Sequence, residues 1–420
     1  MKHVSAASLI GLLLSAGASA QTALTWQQLR DRFEATNPTL KAAQLNIDES
    51  RAAEITAFLR PNPDFTFSTD GTQLTPYQGV YRPLSGTQYA PSISYLHERE
   101  GKRELRRDSA KKSTEIAASS YSDQERGLLF NLRNAFVQVL QAKAFLDNAK
   151  ENLAYWDREL GIDRTRLTAG DIAQIDLDRL RLQRAQFESD FETATVNLRT
   201  AKIQLLTLLN DRTPVDQFDV TGPYDFKEVL QPLDDFRAAA LAARPDLKVA
   251  LQSVELAKIN HNLAVANGST DPTYSVWVTH NPSFSNPYDN NTVGASVSIP
   301  LRIFDRNQGE KARTQIDISR NEKLVDAARA GVFSDVDSAW ATVVSAINLL
   351  KPYRDEYLKL AGEVRDRVSF SYQNGGASLI DFLDAEKSYR DTRLAYINLV
   401  ASYLTAAAQM NQAVGREILQ

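Results

Sequence analysis

Hydrophobic and polar residues follow two different periods along this chain, and the two periods recur in the same order in each half. Apolar residues at helical spacing come first, around 37–61 and 244–266. Two stretches of strict alternation follow in each half, which is typical of strands with two different faces. The predicted strands cover about 63–70, about 90–98, about 272–280 and about 292–301.

The last long helical pattern of each half carries a seam of apolar residues at an unbroken spacing of three and four. The seam runs from Phe187 to Leu208 in the first half and from Phe382 to Ala413 in the second. A seven-residue repeat of this length favours supercoiling against neighbouring helices. Gly and Pro are nearly absent from 102–160 and from 377–414, so we expect long uninterrupted helices there.

Three pairs of motifs indicate that the chain contains a duplicated unit. "NPTL" recurs as "RPDL", "NPDFTFS" as "DPTYSVW", and "TAGDIAQIDLDRL" as "QNGGASLIDFLDA". The matched residues are separated by 207 (38 to 245), 209 (63 to 272) and 205 (170 to 375) positions. A nearly constant offset across three motifs is the signature of a repeat. We interpret 21–212 as the first repeat, 213–234 as a linker and 235–420 as the second repeat.

Residues 1–20 have the pattern of a secretion signal, with Lys2, the apolar core "SLIGLLLSAG" and "ASA" before Gln21. The net charge of −4 becomes −5 without Lys2, and this mild acidity argues against nucleic acid as a partner. The chain has no Cys, which excludes disulfides and thiolate metal sites. No later stretch approaches the ~20 apolar residues of a membrane helix, so entry into a membrane would require a closed β-barrel.

Two strands in each half leave open sheet edges, which lipid does not tolerate. Four strands per chain therefore predict partners, and a cyclic oligomer would close the sheet. The charged segments "HEREGKRELRR" (97–107) and "RIFDRNQGE" (302–310) follow the second strand of each pair. We expect a strand to leave the membrane there and become a soluble helix.

Together these features resemble those of the TolC-type outer-membrane efflux proteins, and the resemblance covers essentially the whole mature chain. The resemblance is carried by "NPTL", "RPDL", "RPNPDF" (60–65), "SIPLRIFDRNQGE" (298–310) and the two turns that run from Gly170 to Asp176 and from Gly375 to Asp381. "RPNPDF" together with "SIPLRIFDRNQGE" is most similar to the branch that serves heavy-metal resistance pumps.

The resemblance implies a mainly α-helical protein with a transmembrane β-barrel in the outer membrane. Three protomers would give four strands each to a twelve-stranded barrel in outer-membrane lipid. The helices would continue as a coiled-coil α-barrel in the periplasm, with 213–234 and the chain ends in an equatorial belt. The homotrimer would be the passive exit duct of a tripartite efflux system, docked through a periplasmic adaptor (membrane fusion protein) onto an inner-membrane pump of the RND type. Its cargo stays open between metal ions, drugs and peptides.

Two acids at the second helix-helix turn, Asp381 and Asp384, are three positions apart and share one helix face. In the family the matching carboxylates face the lumen at the periplasmic entrance, so three protomers would form two acidic rings that attract cations. Carboxylates crowded in this way are expected to have raised pKa values. The alternative is that both are solvated acids, which are favourable near a helix N-terminus.

The first turn retains Asp176 but has Arg179 where the second has Asp384. In the best-known family members, a basic residue four positions before the first ring acid pairs with the acid that matches Asp176 and helps to hold the entrance closed. That position is Ala377 here. The lock is therefore absent or rebuilt, and Tyr372 and Arg179 are the candidates for a substitute.

Three glycines, Gly170, Gly375 and Gly376, fit left-handed positions in tight turns between helices. The resemblance adds that these turns form the adaptor-docking surface. Turn geometry alone is the alternative explanation, and the two are compatible.

No enzyme chemistry or cofactor is predicted. His97, His261 and His280 lack the spacing of metal ligands, and no Gly-rich phosphate loop opens a helix after a strand. A secreted hydrolase would need a compact pocket that this periodicity does not provide. The other class of function considered is a periplasmic coiled-coil adaptor or scaffold of an export system, which would lack strand pairs beside each helix pair.

Overall fold

The computed structural model describes residues 23–228, 230–282 and 290–419. The predicted secretion signal and most of the predicted loop between the second pair of strands lie outside the described residues.

Within these ranges the two repeats have the same order of elements through the two strands, and the second repeat then has one more helix than the first. The first repeat contains α1 (Trp26–Thr36), α2 (Pro38–Phe58), β1 (Asp64–Asp70), β2 (Gln88–Leu96), α3 (Lys102–Ala169) and α4 (Gln174–Leu208). The second contains α5 (Leu233–Ala243), α6 (Pro245–Asn267), β3 (Thr273–His280), β4 (Asn291–Ser298), α7 (Gln308–Pro352), α8 (Leu358–Gln373) and α9 (Leu379–Val414). Helix α5 begins two residues before the start of the second repeat that we inferred from the sequence, at 235. The mainly helical fold and the four strands confirm the fold class expected from the two periods.

One proline in each repeat separates its first two helices. Asn37 and Arg244 have extended backbones, with φ/ψ of −63°/120° and −67°/121°. A residue before proline is disfavoured in the helical region, whereas proline itself is well suited to the first turn of a helix. Pro38 and Pro245 therefore end one helix and begin the next.

The four strands form one antiparallel sheet in the order β1-β2-β3-β4, so β1 and β4 are its edges. Phe65, Ile93 and Val276 lie in one cross-strand row, and all three are exposed. The next row, on the opposite face, contains Thr66, Ser92 and Trp277. Alternation along each strand thus gives the sheet one apolar face and one face rich in hydroxyl groups.

The long helix before the second turn differs between the repeats. In the first repeat α3 is continuous for 68 residues. In the second a π-helical turn, Tyr353–Tyr357, separates α7 from α8 without a non-helical residue. Pro352 precedes this turn, lacks an N–H and would clash with the carbonyl four residues earlier in a regular helix. The π turn begins directly after the proline, outside the segments for which uninterrupted helices were predicted.

The chain divides into two compact units, and each takes segments from both repeats. Unit 1 comprises Met1–Asn37, Asn131–Glu228 and Ala346–Thr405, which include both turns between long helices. Unit 2 comprises Pro38–Phe130, Val229–Ser345 and Ala406–Gln420, which include the sheet. Among the helices of the described residues, none is apolar over a stretch long enough to cross a membrane.

Candidate functional site

The candidate site consists of the two turns between long helices, both in unit 1. The first tip joins α3 to α4, and the second tip joins α8 to α9. At the first tip the Gly170 N–H donates to the Leu167 carbonyl (3.0 Å) and the Asp171 N–H to the Arg166 carbonyl (2.9 Å). This pair of bonds around a left-handed residue is a Schellman motif, and Gly170 has φ +86°.

The second tip repeats the same motif 205 positions later. The Gly375 N–H donates to the Tyr372 carbonyl (3.1 Å), and the Gly376 N–H donates to the Ser371 carbonyl (2.7 Å). Gly375 has φ +78°, so the structure confirms the left-handed conformation expected for it and for Gly170. The same expectation for Gly376 is wrong, because its φ is not positive. A Cβ on Gly376 would lie 2.9 Å from Ser371 Oγ, so lack of space is what favours glycine there.

Asp381 is engaged as a helix cap. Its Oδ2 accepts hydrogen bonds from the Ser378 hydroxyl (2.7 Å) and the Ser378 N–H (3.1 Å), while the Asp381 N–H donates to Ser378 Oγ (3.2 Å). These reciprocal bonds form a capping box at the start of α9. The Ser378 hydroxyl and N–H hold the pKa of Asp381 below its ordinary value. Within one chain this is opposite to the raised pKa expected for crowded ring carboxylates.

The other charged residues at the tips have weaker attachments. Asp384 is exposed and has no hydrogen bond or ion pair within the described part of the chain. Arg179 Nη1 lies 3.9 Å from Asp176 Oδ1 on the same helix, and the Arg179 side chain is more than half exposed. Ala173 occupies the N-cap position of α4, so no side chain caps that helix. The first tip therefore has no equivalent of the Ser378–Asp381 capping box.

Tyr372 is buried between the two helix pairs. Its ring stacks on Phe382 with the centroids 4.8 Å apart, and the Arg166 guanidinium lies 4.8 Å from the ring centroid. Arg166 Nη2 also donates to the Tyr372 carbonyl at 3.2 Å. Burial and the nearby negative charge of Asp163 raise the pKa of Tyr372 to about 12. Tyr372 therefore connects the helix that ends at the first tip to the helix that ends at the second, from inside the core.

A cluster of aromatic rings joins the two tips. Trp156 lies 5.3 Å from Phe187 and 5.8 Å from Phe382, measured between ring centroids. Leu177 and Leu180 of α4 and Leu379 of α9 are buried in the same core. Because this core takes residues from both helix pairs, a rearrangement at one tip must repack residues of the other.

Three acids, Glu159, Asp163 and Glu386, are buried beside this aromatic core. None of them was predicted as a site residue. We refer to them together as the buried acid cluster. Glu159 accepts hydrogen bonds from Gln373 Nε2 at 3.2 and 3.4 Å, and Asp163 Oδ1 accepts one from Arg166 at 3.0 Å. Asp163 Oδ2 and Glu386 Oε1 are buried and have no hydrogen-bond partner within the part of the chain that the structure describes.

Burial disfavours the charged form of all three carboxylates. It raises the pKa of Glu386 to about 7 and also raises the pKa values of Glu159 and Asp163. A signal for Asp163 was present in the sequence, because it occupies a seam position between Leu160 and Leu167 of α3. Glu386 could not have been found in this way, because its burial depends on packing between the two helix pairs.

The described residues contain no group of three or more metal-ligating side chains placed to hold a metal ion. His261 Nδ1 is hydrogen-bonded to the Thr314 hydroxyl at 3.0 Å, and His280 Nδ1 to Asn291 Oδ1 at 2.8 Å. These histidines have local polar partners in separate parts of unit 2.

The sequence model of the family described as "Outer membrane efflux protein" matches residues 29–211 and again 237–416. The cobalt-zinc-cadmium resistance protein CzcC of Cupriavidus metallidurans is 23% identical over 390 residues, which cover 91% of this chain and 87% of CzcC. Outer membrane protein TolC of Salmonella enteritidis is 21% identical in an alignment that covers 97% of this chain and 85% of TolC.

Solved structures with the same fold include CusC, with a TM-score of 0.78 and 18% identity, covering 93% of this chain and 92% of CusC. The open state of the Neisseria gonorrhoeae MtrE outer membrane channel has a TM-score of 0.73 and 18% identity, and the match covers 94% of this chain and 89% of MtrE. The resemblance to TolC-type channels, the outer-membrane location with extension into the periplasm and the absence of an enzymatic role are confirmed by these relatives. The chain belongs to the outer membrane efflux protein family.

Proposed function

We propose that this protein is the exit duct of a tripartite efflux system, in which three copies form one passive, water-filled path across the outer membrane. An inner-membrane pump of the RND type supplies the energy, and a periplasmic adaptor connects the pump to the duct. The observation that carries the proposal is the four-stranded antiparallel sheet, which has two open edges and two chemically different faces.

An open sheet edge is not tolerated in hydrocarbon, because its N–H and C=O groups have no partner there. All neighbouring strands in the sheet are antiparallel, and the number of strands is even. The β4 edge of one copy can therefore pair antiparallel with the β1 edge of the next, and a ring of copies has no edge left. Three copies give twelve strands, whose apolar face meets lipid and whose hydroxyl-rich face lines the path.

The helices supply the periplasmic part of the duct. At ~1.5 Å per residue, the 68 residues of α3 extend over roughly 100 Å. This length exceeds by several times what a membrane of ~30 Å requires, so most of the helix lies in the periplasm. Gly170, Gly375 and Gly376 lie at the tips, and we assign these tips to adaptor docking.

The tip acids are proposed to select cations at the periplasmic entrance. Asp384 is exposed, and its carboxylate has no partner among the described residues, so three copies would present a ring of unpaired charge. Asp381 contributes a second ring while it caps α9, and Asp176 with Arg179 contributes a ring of mixed sign. Heavy-metal cations are the proposed cargo, supported by the relation to the cobalt-zinc-cadmium resistance protein. A substitute lock is proposed for Tyr372 through Arg166, whereas the exposed Arg179 is too weakly held for this role.

Conductance in planar bilayers tests the duct and the ring together. Purified protein should form channels whose current is blocked by Mg²⁺ or Zn²⁺ added on the side of the helices. Asp384→Asn should weaken the block most, since it removes free charge without removing a cap. Ser378→Ala is the matched control, because it breaks the capping box and leaves every charge in place. Unchanged block in Asp384→Asn would remove the ring assignment, and no conductance in the unsubstituted protein would remove the duct.

Cargo is tested in a host that carries the cognate pump and adaptor but lacks this gene. Restoration should raise the tolerated concentrations of cobalt, zinc and cadmium salts. Tolerance that rises for organic drugs and not for these metals would contradict the proposed cargo while the duct itself stands.

A further inference from the structure

Inside the chain, the segment that follows β2 is bound to the segment that precedes β3. The His97 N–H donates to the Pro272 carbonyl at 2.9 Å, and the Arg99 N–H donates to Asp271 Oδ1 at 2.9 Å. The buried Lys102 ammonium donates to Asp271 Oδ2 at 2.6 Å and to the Ser269 carbonyl at 3.1 Å. We name this set of contacts the polar latch. It fixes the base of two neighbouring strands where each meets a helix.

The duplicated unit places a second junction of this kind between copies. In the closed barrel of the proposed function, β4 of one copy neighbours β1 of the next as β2 neighbours β3 within a chain. The segment after β4 therefore lies beside the segment before β1 of the next copy. The two junctions are related by the repeat and occupy the same level of the barrel.

The residues of the polar latch are not repeated at the second junction. Matching Pro63 with Pro272 puts Asn62 in the place of Asp271. Matching Gly101 with Gly309 puts Glu310 in the place of Lys102. Glu310 is ion-paired with Arg313 of its own helix, and an amide beside a carboxylate cannot form the ion pair of the latch.

Exposed apolar side chains occupy both sides of the second junction. After β4, Leu301, Ile303 and Phe304 are 77%, 62% and 90% exposed. Before β1, Ile55 and Leu59 are 69% and 60% exposed. By contrast, the segment after β2, "HEREG" at 97–101, has no aliphatic residue. At the closed β2–β3 junction the exposed apolar side chains are fewer and less exposed, with Leu96 at 37% and Val265 at 46%.

This distribution separates a second copy from lipid as the occupant. Lipid would surround the base of every strand equally, so it would favour as many apolar side chains, equally exposed, at the β2–β3 junction. A second copy reaches only the open edges. We propose that Leu301, Ile303 and Phe304 of one copy pack against Ile55 and Leu59 of the next, forming an apolar clasp that replaces the polar latch between copies. This inference rests on the closed ring of the proposed function.

Disulfide cross-linking tests the clasp, since the chain has no Cys of its own. Leu59→Cys combined with Phe304→Cys should give disulfide-linked trimers on a non-reducing gel after mild oxidation of membranes. The control pair is Leu74→Cys with Phe304→Cys, because Leu74 is 86% exposed but lies in the loop between β1 and β2. Linkage in the clasp pair no stronger than in the control pair would overturn the clasp.

Native mass spectrometry of the same samples distinguishes failure of the apolar clasp from failure of the trimeric duct. Trimers without cross-links would overturn the clasp and leave the duct intact, whereas monomers would overturn both. Lipid contact is tested with a bimane label on Phe304→Cys in vesicles of brominated phosphatidylcholine. The clasp predicts little quenching, and strong quenching would assign these side chains to lipid instead.

Removal of one anchor gives an independent readout. Phe304→Ser should make the trimer dissociate about tenfold faster or more in detergent, as expected for loss of a large apolar contact at an interface. Leu74→Ser, which removes an equally exposed apolar side chain outside the clasp, should leave the dissociation rate unchanged. Equal rates for the two variants would contradict the clasp.

Discussion

The two tips have the same backbone turn but different attachments for their charges. Both end a long helix with a Schellman motif, and both carry an aspartate six positions after the left-handed glycine. At the second tip Ser378 fixes Asp381 in a capping box, while at the first tip Ala173 leaves Asp176 without a cap. The turn has therefore been kept in both repeats, and the chemistry displayed on it has diverged.

The difference extends into the helices behind the tips. Glu386 of α9 is buried in the acid cluster, whereas its counterpart 205 positions earlier, Arg181 of α4, is half exposed and ion-paired with Asp178. In the described ranges, the π turn after Pro352 has no counterpart in the first repeat. π turns are frequent at functional sites and mark places where a helix can rearrange. Both helix pairs contribute to the buried acid cluster, since Glu159 and Asp163 lie on α3. The second pair differs by its π turn and by an acid on α9 where α4 has Arg181, and we expect it to respond more to conditions.

The largest effect on stability is expected from the aromatic side chain of Phe382, which lies in the core shared by the two tips. Phe382→Ala should lower the free energy of unfolding by about 3–5 kcal/mol, because Phe382 is fully buried against Trp156 and Tyr372. Its first-repeat counterpart Leu177 is also buried, and Leu177→Ala should cost about 2–5 kcal/mol. Thermal unfolding followed by limited proteolysis of the tips measures both. A loss in one variant without the other would show that the tips do not share a core.

Glu386 makes the second helix pair sensitive to pH. Its pKa is raised to about 7 from the ordinary value of 4.5, so its charged form is disfavoured in the folded state. The contribution of Glu386 to the free energy of unfolding is therefore fully present below pH 4.5 and is lost as the pH rises through about 7. The groups that face Glu386 are Tyr155 and Glu159 of α3 and Arg365 and Asp366 of α8.

Glu386→Gln should therefore raise stability at pH 8, by at most about 3 kcal/mol, and change it little at pH 4. Unfolding midpoints measured at both pH values test this. Arg181→Gln is the matched control in the first repeat and should not alter the pH dependence. A pH dependence that persists unchanged in Glu386→Gln would assign it to Glu159 and Asp163 instead.

Exchange of the cap between the tips should have a smaller effect. Ser378→Ala removes an N-cap and should cost about 1 kcal/mol, and the pKa of Asp381 should rise toward its ordinary value. Ala173→Ser should create a capping box with Asp176 and stabilise the first tip by a similar amount, about 1 kcal/mol. Unfolding midpoints measure the first effect, and NMR titration of the carboxylates measures the second. If Ala173→Ser leaves the pKa of Asp176 unchanged, the tips differ by more than one side chain.

The smallest effect is expected at Arg179. Its contact with Asp176 is long and exposed, so Arg179→Ala should change stability by less than about 0.5 kcal/mol. Arg179→Asp gives the first tip the acid that the second has at Asp384, and it should strengthen cation block with little change in folding. A large loss of stability in Arg179→Ala would mean that Arg179 has a role in a lock after all.

Local patterns predicted the strands, the long helices and the positions of both tips. The alternation in "NPDFTFS" and the glycines at 170 and 375 are signals that depend on residues close in sequence. The capping box was also readable, since Ser378 and Asp381 have the Ser-x-x-Asp spacing that precedes an apolar run. Pro352 was a visible signal for a helix irregularity that the periodicity argument did not use.

The buried acid cluster and the role of Tyr372 could not be predicted from local patterns. Glu159 and Glu386 come together only because two helix pairs pack, and the sequence has no periodic signal for that contact. Its position near the turn made Tyr372 a candidate for a substitute lock, whereas the packing of its ring on Phe382 has no signal in the sequence. At Gly376 the residue type was predicted for the wrong reason. Glycine is favoured there by the limited space beside Ser371 and not by a positive φ.

Backbone amide exchange at the sheet edges tests the central claim most directly. In the trimer extracted from membranes, peptides from β1 and β4 should be protected from hydrogen–deuterium exchange as strongly as peptides from β2 and β3. Edge strands that exchange much faster than the two central strands, in a sample of confirmed trimeric mass, would contradict a sheet closed by three copies.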